Sequence, residues 1–389
     1  MKLLRVIATV DPASGGPIEG LKRASAVMAE HGVEVEIATL DAPGSRDADI
    51  AALPWPVHPL GPGRFGGYQY SPRLRDWLDR RVRDYDAVIV HGNWQYHGLA
   101  AARACLRRRV PYFVFPHGML DPWFNRAYPL KKLKKQLYWN WGEHFVLSHA
   151  TDVLFTCEEE RVLARESFRP YRVREKVAGY GTRAPAPESY SRTGENPAAR
   201  WGGRPYLLYL GRIQEKKGID LLVEAYAHGL AGDPAAPELV IAGPEQQPDY
   251  AAAIRARVPS GRIHWIGPVD GEAKWPLLHG AEALALVSHQ ENFGLVVAEA
   301  LAVGTPVLLS DKVNIWREVA DGKAGLVETD SLDGARALLD RWQALAPEDK
   351  AAMRTAAQTV FAEHFDIEKA TLRLIDHLRV RIEARSQAQ

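Results

Sequence analysis

Short apolar runs alternate with amphipathic stretches along this chain, and the alternation starts twice. Residues 2–10, 33–40, 87–91 and 112–116 read as strands, near-continuous apolar runs of the kind buried on both faces of a parallel sheet. Residues 18–31, 73–83 and 98–108 between them carry helical spacing. Residues 181–205 are dense in Pro, Gly, Ser and charge without periodicity, so they read as a linker. Beyond it, strands are expected at 206–210, 238–242, 263–265, 283–287 and 306–309, with helices at 218–226, 249–257 and 294–303. Two further helices, 351–363 and 367–383, are separated by a break near Phe365 and Asp366. The pattern predicts an α/β chain of two doubly wound, Rossmann-like domains facing a central cleft, spanning 1–190 and 191–363, with a helical segment at 364–389.

Composition narrows the function classes. A chain of 389 residues, 46% hydrophobic and 25% charged, has the length for two cores and is neither disordered nor fibrous. Cys105 and Cys157 make no disulfide framework, and no Cys/His cluster has zinc spacing; His91 and His97 lack a third ligand. No metal site and a reducing, cytoplasmic setting are therefore expected, with no export signal in the opening residues and no membrane-spanning run. Net charge is +1, but up to Tyr190 the chain holds 27 Lys and Arg against 21 Asp and Glu, and beyond it 22 against 27. That asymmetry hints at different partners for the two halves.

Candidate chemistry gathers at predicted strand ends. Glu291-Asn292-Phe293-Gly294-Leu295-Val296-Val297-Ala298-Glu299 places two carboxylates about 12 Å apart across a helix start, whose amides suit a diphosphate. Arg212 and Lys217 lie in the loop after strand 206–210 and supply two cations for an anion. Read alone, each motif is also a solvated surface turn or helix; together they favour an anion site. Gly15 and Gly16 open the first helix before Pro17, His117 follows strand 112–116, and His91 and Trp94 follow strand 87–91.

These residues resemble the retaining glycosyltransferases of family 4, the group 1 glycosyl transferases with the GT-B fold. The resemblance rests on Glu291 to Glu299, the loop GRIQEKKGID, the Gly15-Gly16 turn, the PHGML loop around His117 and the segment FAEHFDIEKATLRLIDHL. It implies a metal-independent, hexosyltransferase-type enzyme that uses no cofactor and takes a UDP- or GDP-linked nucleotide sugar as donor. It implies that Glu291 and His117 face the sugar and that Arg212 and Lys217 hold the diphosphate. Asn292, Phe293, Gly294 and Leu295 would surround the donor with Gly15 and Gly16, Glu299 would bind the ribose, and Ile266 and Gly267 would lie by the nucleobase. The N-terminal domain would take the acceptor, the C-terminal domain the nucleotide, and the last helix would return to the N-terminal domain. Where many members have Gly after the first Glu, this chain has Asn292, and Val287-Ser288 stands in place of Pro-Ser.

The implied acceptor is a glycan or lipid-linked glycan of surface polysaccharide biosynthesis. Lys131, Lys132, Lys134 and Lys135, beside Leu130, Leu133, Leu137 and Trp141, form a candidate amphipathic helix for an anionic membrane at the inner face of the plasma membrane. The competing reading is a packed helix with a solvated basic face; nucleic acid is not an expected partner. Among other functions, a nucleotide-sugar epimerase on a similar fold needs no acceptor site, and a noncatalytic nucleotide-sugar-binding protein needs neither Glu291 nor His117.

Overall fold

The computed structural model describes residues 1–191, 197–258, 261–269 and 271–387; part of the expected linker, 192–196, lies outside the described residues. The chain divides into two compact units, one made of Met1–Tyr180 and the chain from Ile367 onward, the other of Gly181–Asp366. The division falls at Tyr180, ten residues before the position expected from composition. Tyr180 belongs to the first unit because its hydroxyl donates to the Gly16 carbonyl (2.7 Å), whereas Thr182 pairs with Asp366 in the second.

The first unit is built on seven parallel strands: β1 (Lys2–Ile7), β2 (Glu34–Thr39), β3 (Val57–Pro59), β4 (Ala87–His91), β5 (Tyr112–Phe115), β6 (Asp152–Phe155) and β7 (Glu175–Val177). Their order is β3-β2-β1-β4-β5-β6-β7, so the direction of winding reverses between β1 and β4. Successive residues of β4 point to opposite faces: Val88 and Val90 join Leu4, Val6 and Phe155 on one side, Ala87 and Ile89 join Leu3, Phe113 and Leu154 on the other. The helix Ile367–Gln387 covers the latter face with Leu374, Ile375 and Leu378.

The second unit repeats the scheme with six parallel strands: β8 (Tyr206–Leu210), β9 (Glu238–Ala242), β10 (Ile263–Gly267), β11 (Ala283–Leu286), β12 (Val307–Ser310) and β13 (Gly325–Glu328). Their order is β10-β9-β8-β11-β12-β13, with the reversal between β8 and β11. In such sheets ligands bind beyond the carboxyl ends of the strands at the reversal.

Several elements depart from the periodicity. β3, β6, β7 and β13 are short strands the apolar pattern did not single out. Asp152 opens β6 and is buried because His377 (3.0 Å) and Arg381 (2.9 Å) pair with it. Strand 2–10 stops at Ile7 and gives way to a 3-10 turn, Pro12–Ser14, capped by Asp11. Helix 351–363 begins earlier, at Pro347, and ends in a π-turn, Phe361–Phe365. The helix Leu332–Ala344 was missed, although Ser331 caps it by accepting from the Gly334 amide (3.0 Å).

Candidate active site

In the second unit the loops after β8, β10 and β11 bring the expected residues to the carboxyl edge of the sheet. After β8, a 3-10 turn (Glu215–Lys217) ends on Gly218, whose φ of +61° is left-handed. A Cβ there would lie 2.2 Å from the Val287 carbonyl, so only glycine lets this loop reach the one after β11. The contact is tied by the His289 amide, which donates to the Lys216 carbonyl (3.0 Å). Lys217 thereby meets Glu291 in a direct ion pair of two mostly buried side chains. Burial alone would raise the Glu291 carboxyl, but Lys217, Lys216 and Arg212 outweigh it and hold the group below the ordinary carboxylate range. Arg212 is exposed beside them, and its carbonyl accepts from the Tyr209 hydroxyl (2.9 Å).

Gly294, at φ +73°, caps the helix Leu295–Ala302, whose first amides lack intrahelical acceptors. Glu299 lies buried in that helix and accepts from Lys274 Nζ (2.8 Å). Asn292 is half-buried, while Phe293 is buried edge-on against Phe365 with centroids 5.6 Å apart, so the Phe293 side chain packs. Ile266 and Gly267 close β10 at a register shift, where the Gly267 carbonyl accepts from the Gly243 amide (2.8 Å). Sequence reasoning passed over Lys216, Lys274, and His289 with its partner Asp330 (2.7 Å). Lys216 was legible from its place beside Lys217; Lys274 and Asp330 are distant in sequence from the groups they serve.

In the first unit, Gly15 and Gly16 open the helix Gly16–Glu30 after β1. Gly20, one turn on, makes room for Tyr180: a Cβ there would fall 1.5 Å from the Tyr180 hydroxyl oxygen. Tyr180 in turn stands edge-on to His117, centroids 6.0 Å apart. His91 ends β4 and His117 follows β5, and their rings meet through Nδ1 of His91 and Nε2 of His117 at 2.9 Å. Burial, then Arg5, lowers the His117 imidazole to about 3, and burial followed by Arg5, His117 and His97 takes His91 well below its ordinary value. Trp94 holds a left-handed φ of +75°, unusual for a bulky residue. Its amide donates to Glu143 (3.0 Å) and its indole N–H to the Met119 carbonyl (3.2 Å). Glu143 sits in a π-turn (Trp139–Glu143), and burial raises its carboxyl to about 7 against the pull of the Trp94 amide and Lys135.

The basic segment is a helix, Pro129–Tyr138, with an unpaired apolar stripe: Leu130 is 86% exposed, Leu133 64%, Leu137 63% and Trp141, just beyond, 83%. Lys131, Lys132 and Lys134 are exposed with it. Lys135 departs from the expected face. It turns inward over the Trp94 ring, 4.4 Å from the centroid, and feels the charge of the buried Glu143 there. No described helix is long and apolar enough to cross a membrane. Among the described residues no group of three or more His, Cys, Asp or Glu side chains has the arrangement of a metal site.

Comparison with known proteins follows this division. Residues 15–181 match the glycosyl transferase 4-like domain and residues 195–359 match the glycosyl transferases group 1 family. A D-inositol 3-phosphate glycosyltransferase of Nocardia farcinica is 29% identical over 81% of this chain and 73% of its own. The GDP-mannose:cellobiosyl-diphosphopolyprenol alpha-mannosyltransferase of Xanthomonas oryzae is 26% identical over 97% and 96%. Among solved structures, Anabaena HepE in complex with UDP and glucose superimposes with a TM-score of 0.75 at 18% identity, covering 98% of this chain and 100% of HepE. With both halves of the chain matched in order and the two parallel sheets in place, the protein belongs to the family-4-type, group 1 glycosyltransferases of the GT-B fold.

Proposed function

We propose that this glycosyltransferase is a retaining, metal-independent enzyme of the hexosyltransferase type. In this reading it moves a sugar from a UDP- or GDP-linked donor to a glycan or lipid-linked glycan acceptor in surface polysaccharide synthesis. The observation that carries the reading is the convergence of Lys217, Lys216 and Arg212 on Glu291, at the entrance of the helix that holds Glu299. Breaking the bond between sugar and diphosphate leaves negative charge on the phosphate oxygen, and fixed cations with helix amides stabilise that charge as it forms. They supply what a metal would otherwise supply.

Glu291, held ionised, is no proton donor; its charge suits the positive character that develops on the sugar ring. Retention in this reading follows a front-face substitution, the route the family resemblance implies. The sugar to phosphate bond breaks, the acceptor oxygen bonds the same face of the anomeric carbon, and its proton passes to the departing phosphate. Glu299 takes the ribose hydroxyls, Ile266 and Gly267 border the base, and Gly15, Gly16 and His117 are assigned to the donor, His117 to its sugar. The names of the Nocardia and Xanthomonas relatives support a phosphorylated or lipid-diphosphate acceptor. The exposed Leu and Trp stripe beside Lys131, Lys132 and Lys134 supports docking of the first unit on an anionic, cytoplasmic membrane face.

The test is incubation with a panel of UDP- and GDP-sugars and polyprenyl-diphosphate glycan acceptors, with and without EDTA. Expected are nucleotide release that depends on acceptor, a product anomer matching the donor, and full activity with chelator. An inverted anomer, loss of activity with EDTA restored by a divalent metal, or an isomerised donor without transfer would each overturn the reading.

A further inference from the structure

Arginine is out of place in the apolar strand KLLRVI, yet Arg5 is 1% exposed. Its buried guanidinium is held at two of its three nitrogens: Nη1 donates to the Leu21 carbonyl (2.9 Å) and the Ser25 hydroxyl (2.7 Å), and Nε donates to Nε2 of His91 (3.2 Å). A guanidinium only donates. The Nε2 of His91 is therefore a lone pair, and a neutral His91 carries its proton on Nδ1. That proton points at Nε2 of His117, 2.9 Å away. The two rings lie 18° from coplanar with centroids 5.2 Å apart, which equals the nitrogen separation plus the two ring radii, so both nitrogens sit on the line joining the rings. The lone pair of His117 Nε2 is thus occupied, and the proton of a neutral His117 belongs on Nδ1. Among the described residues nothing accepts from that Nδ1.

We propose that Arg5 and His91 are positioning residues that fix His117 as a neutral Nδ1–H donor to an oxygen of the transferred sugar. The proposal rests on the reading above that His117 meets the sugar. Protonating His117 would require a second proton between two nitrogens already sharing one, while Arg5 prevents His91 from turning its lone pair around. The enclosing elements agree. His97 donates Nε2–H to the His91 carbonyl (2.9 Å), which holds the end of β4. Glu160 accepts from the Gly118 amide (2.6 Å), fixing the loop that carries His117 at its left-handed φ of +52°. The other titratable groups facing the pair are Arg5 and Tyr180; the C-terminal helix adds Ile367, Ala370, Thr371 and Leu374, none of which titrates.

The experiment is two-bond proton–nitrogen NMR of the full chain labelled at histidine nitrogen, with His117→Gln identifying the His117 resonances. The wild type should show His117 as the Nδ1–H tautomer, neutral to pH 5. In Arg5→Met and in His91→Phe, the His117 midpoint should rise by about one unit or more towards the ordinary imidazole value. An Nε2–H tautomer in the wild type, or a midpoint unchanged in every folded variant, would overturn the proposal; the wild-type tautomer decides it if neither variant folds. Turnover of His117→Gln is measured in parallel. If the tautomer is as expected but that variant keeps wild-type turnover, the sugar contact fails, and with it the claim that the donor serves the reaction.

Discussion

The two units share one topology and present opposite chemistry at the same edge of it. The first offers imidazoles held uncharged by burial, with the Arg5 cation buried behind them against the Leu21 carbonyl, the Ser25 hydroxyl and His91. The second offers charge, with Lys217 on Glu291 and Lys274 on Glu299. The fold alone dictates neither, since β1 to β4 and β8 to β11 reverse in the same way. Residues beyond the strand ends decide it. A neutral edge suits hydroxyl groups, which need oriented donors, while a charged edge suits a leaving group whose charge grows during reaction.

The largest expected effect comes from discharging the charged edge. Lys217→Ala and Arg212→Ala should each slow transfer by a factor of roughly 30 to 1,000, corresponding to about 2 to 4 kcal/mol of lost charge-assisted stabilisation. They should differ in stability. Lys217→Ala strands a largely buried Glu291 and should cost about 3 kcal/mol, whereas exposed Arg212 should cost little. Adding Glu291→Gln to Lys217→Ala should restore the urea midpoint without restoring turnover. Equal midpoints for the two single variants would show that the pair contributes nothing to the fold.

Acid separates the units next. His91, His97 and His117 are lowered, the last two to about 4 and about 3, so below pH 6.5 the unfolded chain takes up protons that the folded chain refuses. Each costs the first unit about 1.4 kcal/mol per pH unit. Glu143, raised to about 7, acts the other way in that unit between pH 7 and its unfolded value, offsetting one of the three. In the second unit, Glu291 is lowered, so its contribution is intact above the unfolded value near 4.3 and lost only below it. His289, raised by its hydrogen bond with Asp330, gains stability as pH falls towards 6.5 and keeps it below. Amide exchange at pH 7.5 and 5.5 should therefore show β4 and β5 losing protection while β8 and β11 keep theirs. Loss in both units together would count against this assignment.

How much of this was legible in the sequence follows from how local each signal is. Long apolar strands, the linker's composition and the Glu291 to Glu299 spacing are local, and they located both sheets and the charged edge. The neutral edge was legible only as separate residues: His91 and His117 were marked, but their joining through Arg5 depends on the register of β1 against β4 and of β4 against β5. Short strands such as Asp152–Phe155 are hidden because a buried carboxylate reads as a loop until His377, 225 residues away, is seen beside it. The lysine cluster misled because the inward turn of Lys135 is set against Trp94, which comes from a different part of the chain, the loop after β4.

That lysine cluster gives the smallest and most selective test of where charge is displayed in the first unit. Lys131, Lys132 and Lys134 are exposed beside the Leu130, Leu133 and Leu137 stripe, and each should contribute roughly 1 kcal/mol on an anionic surface, about fivefold in vesicle partitioning. Lys135 is turned to Trp94 and Glu143, so Lys135→Gln should leave partitioning nearly unchanged, although it removes the same formal charge. It should instead raise the Glu143 carboxyl further, because one of the two groups that lower it is gone. Sedimentation with phosphatidylglycerol vesicles at low and high salt distinguishes the four. Equal losses for all four lysines would mean that net charge alone drives attachment and that the inward turn of Lys135 does not persist at the membrane. No binding by the wild type even at low salt would leave the stripe without this membrane role.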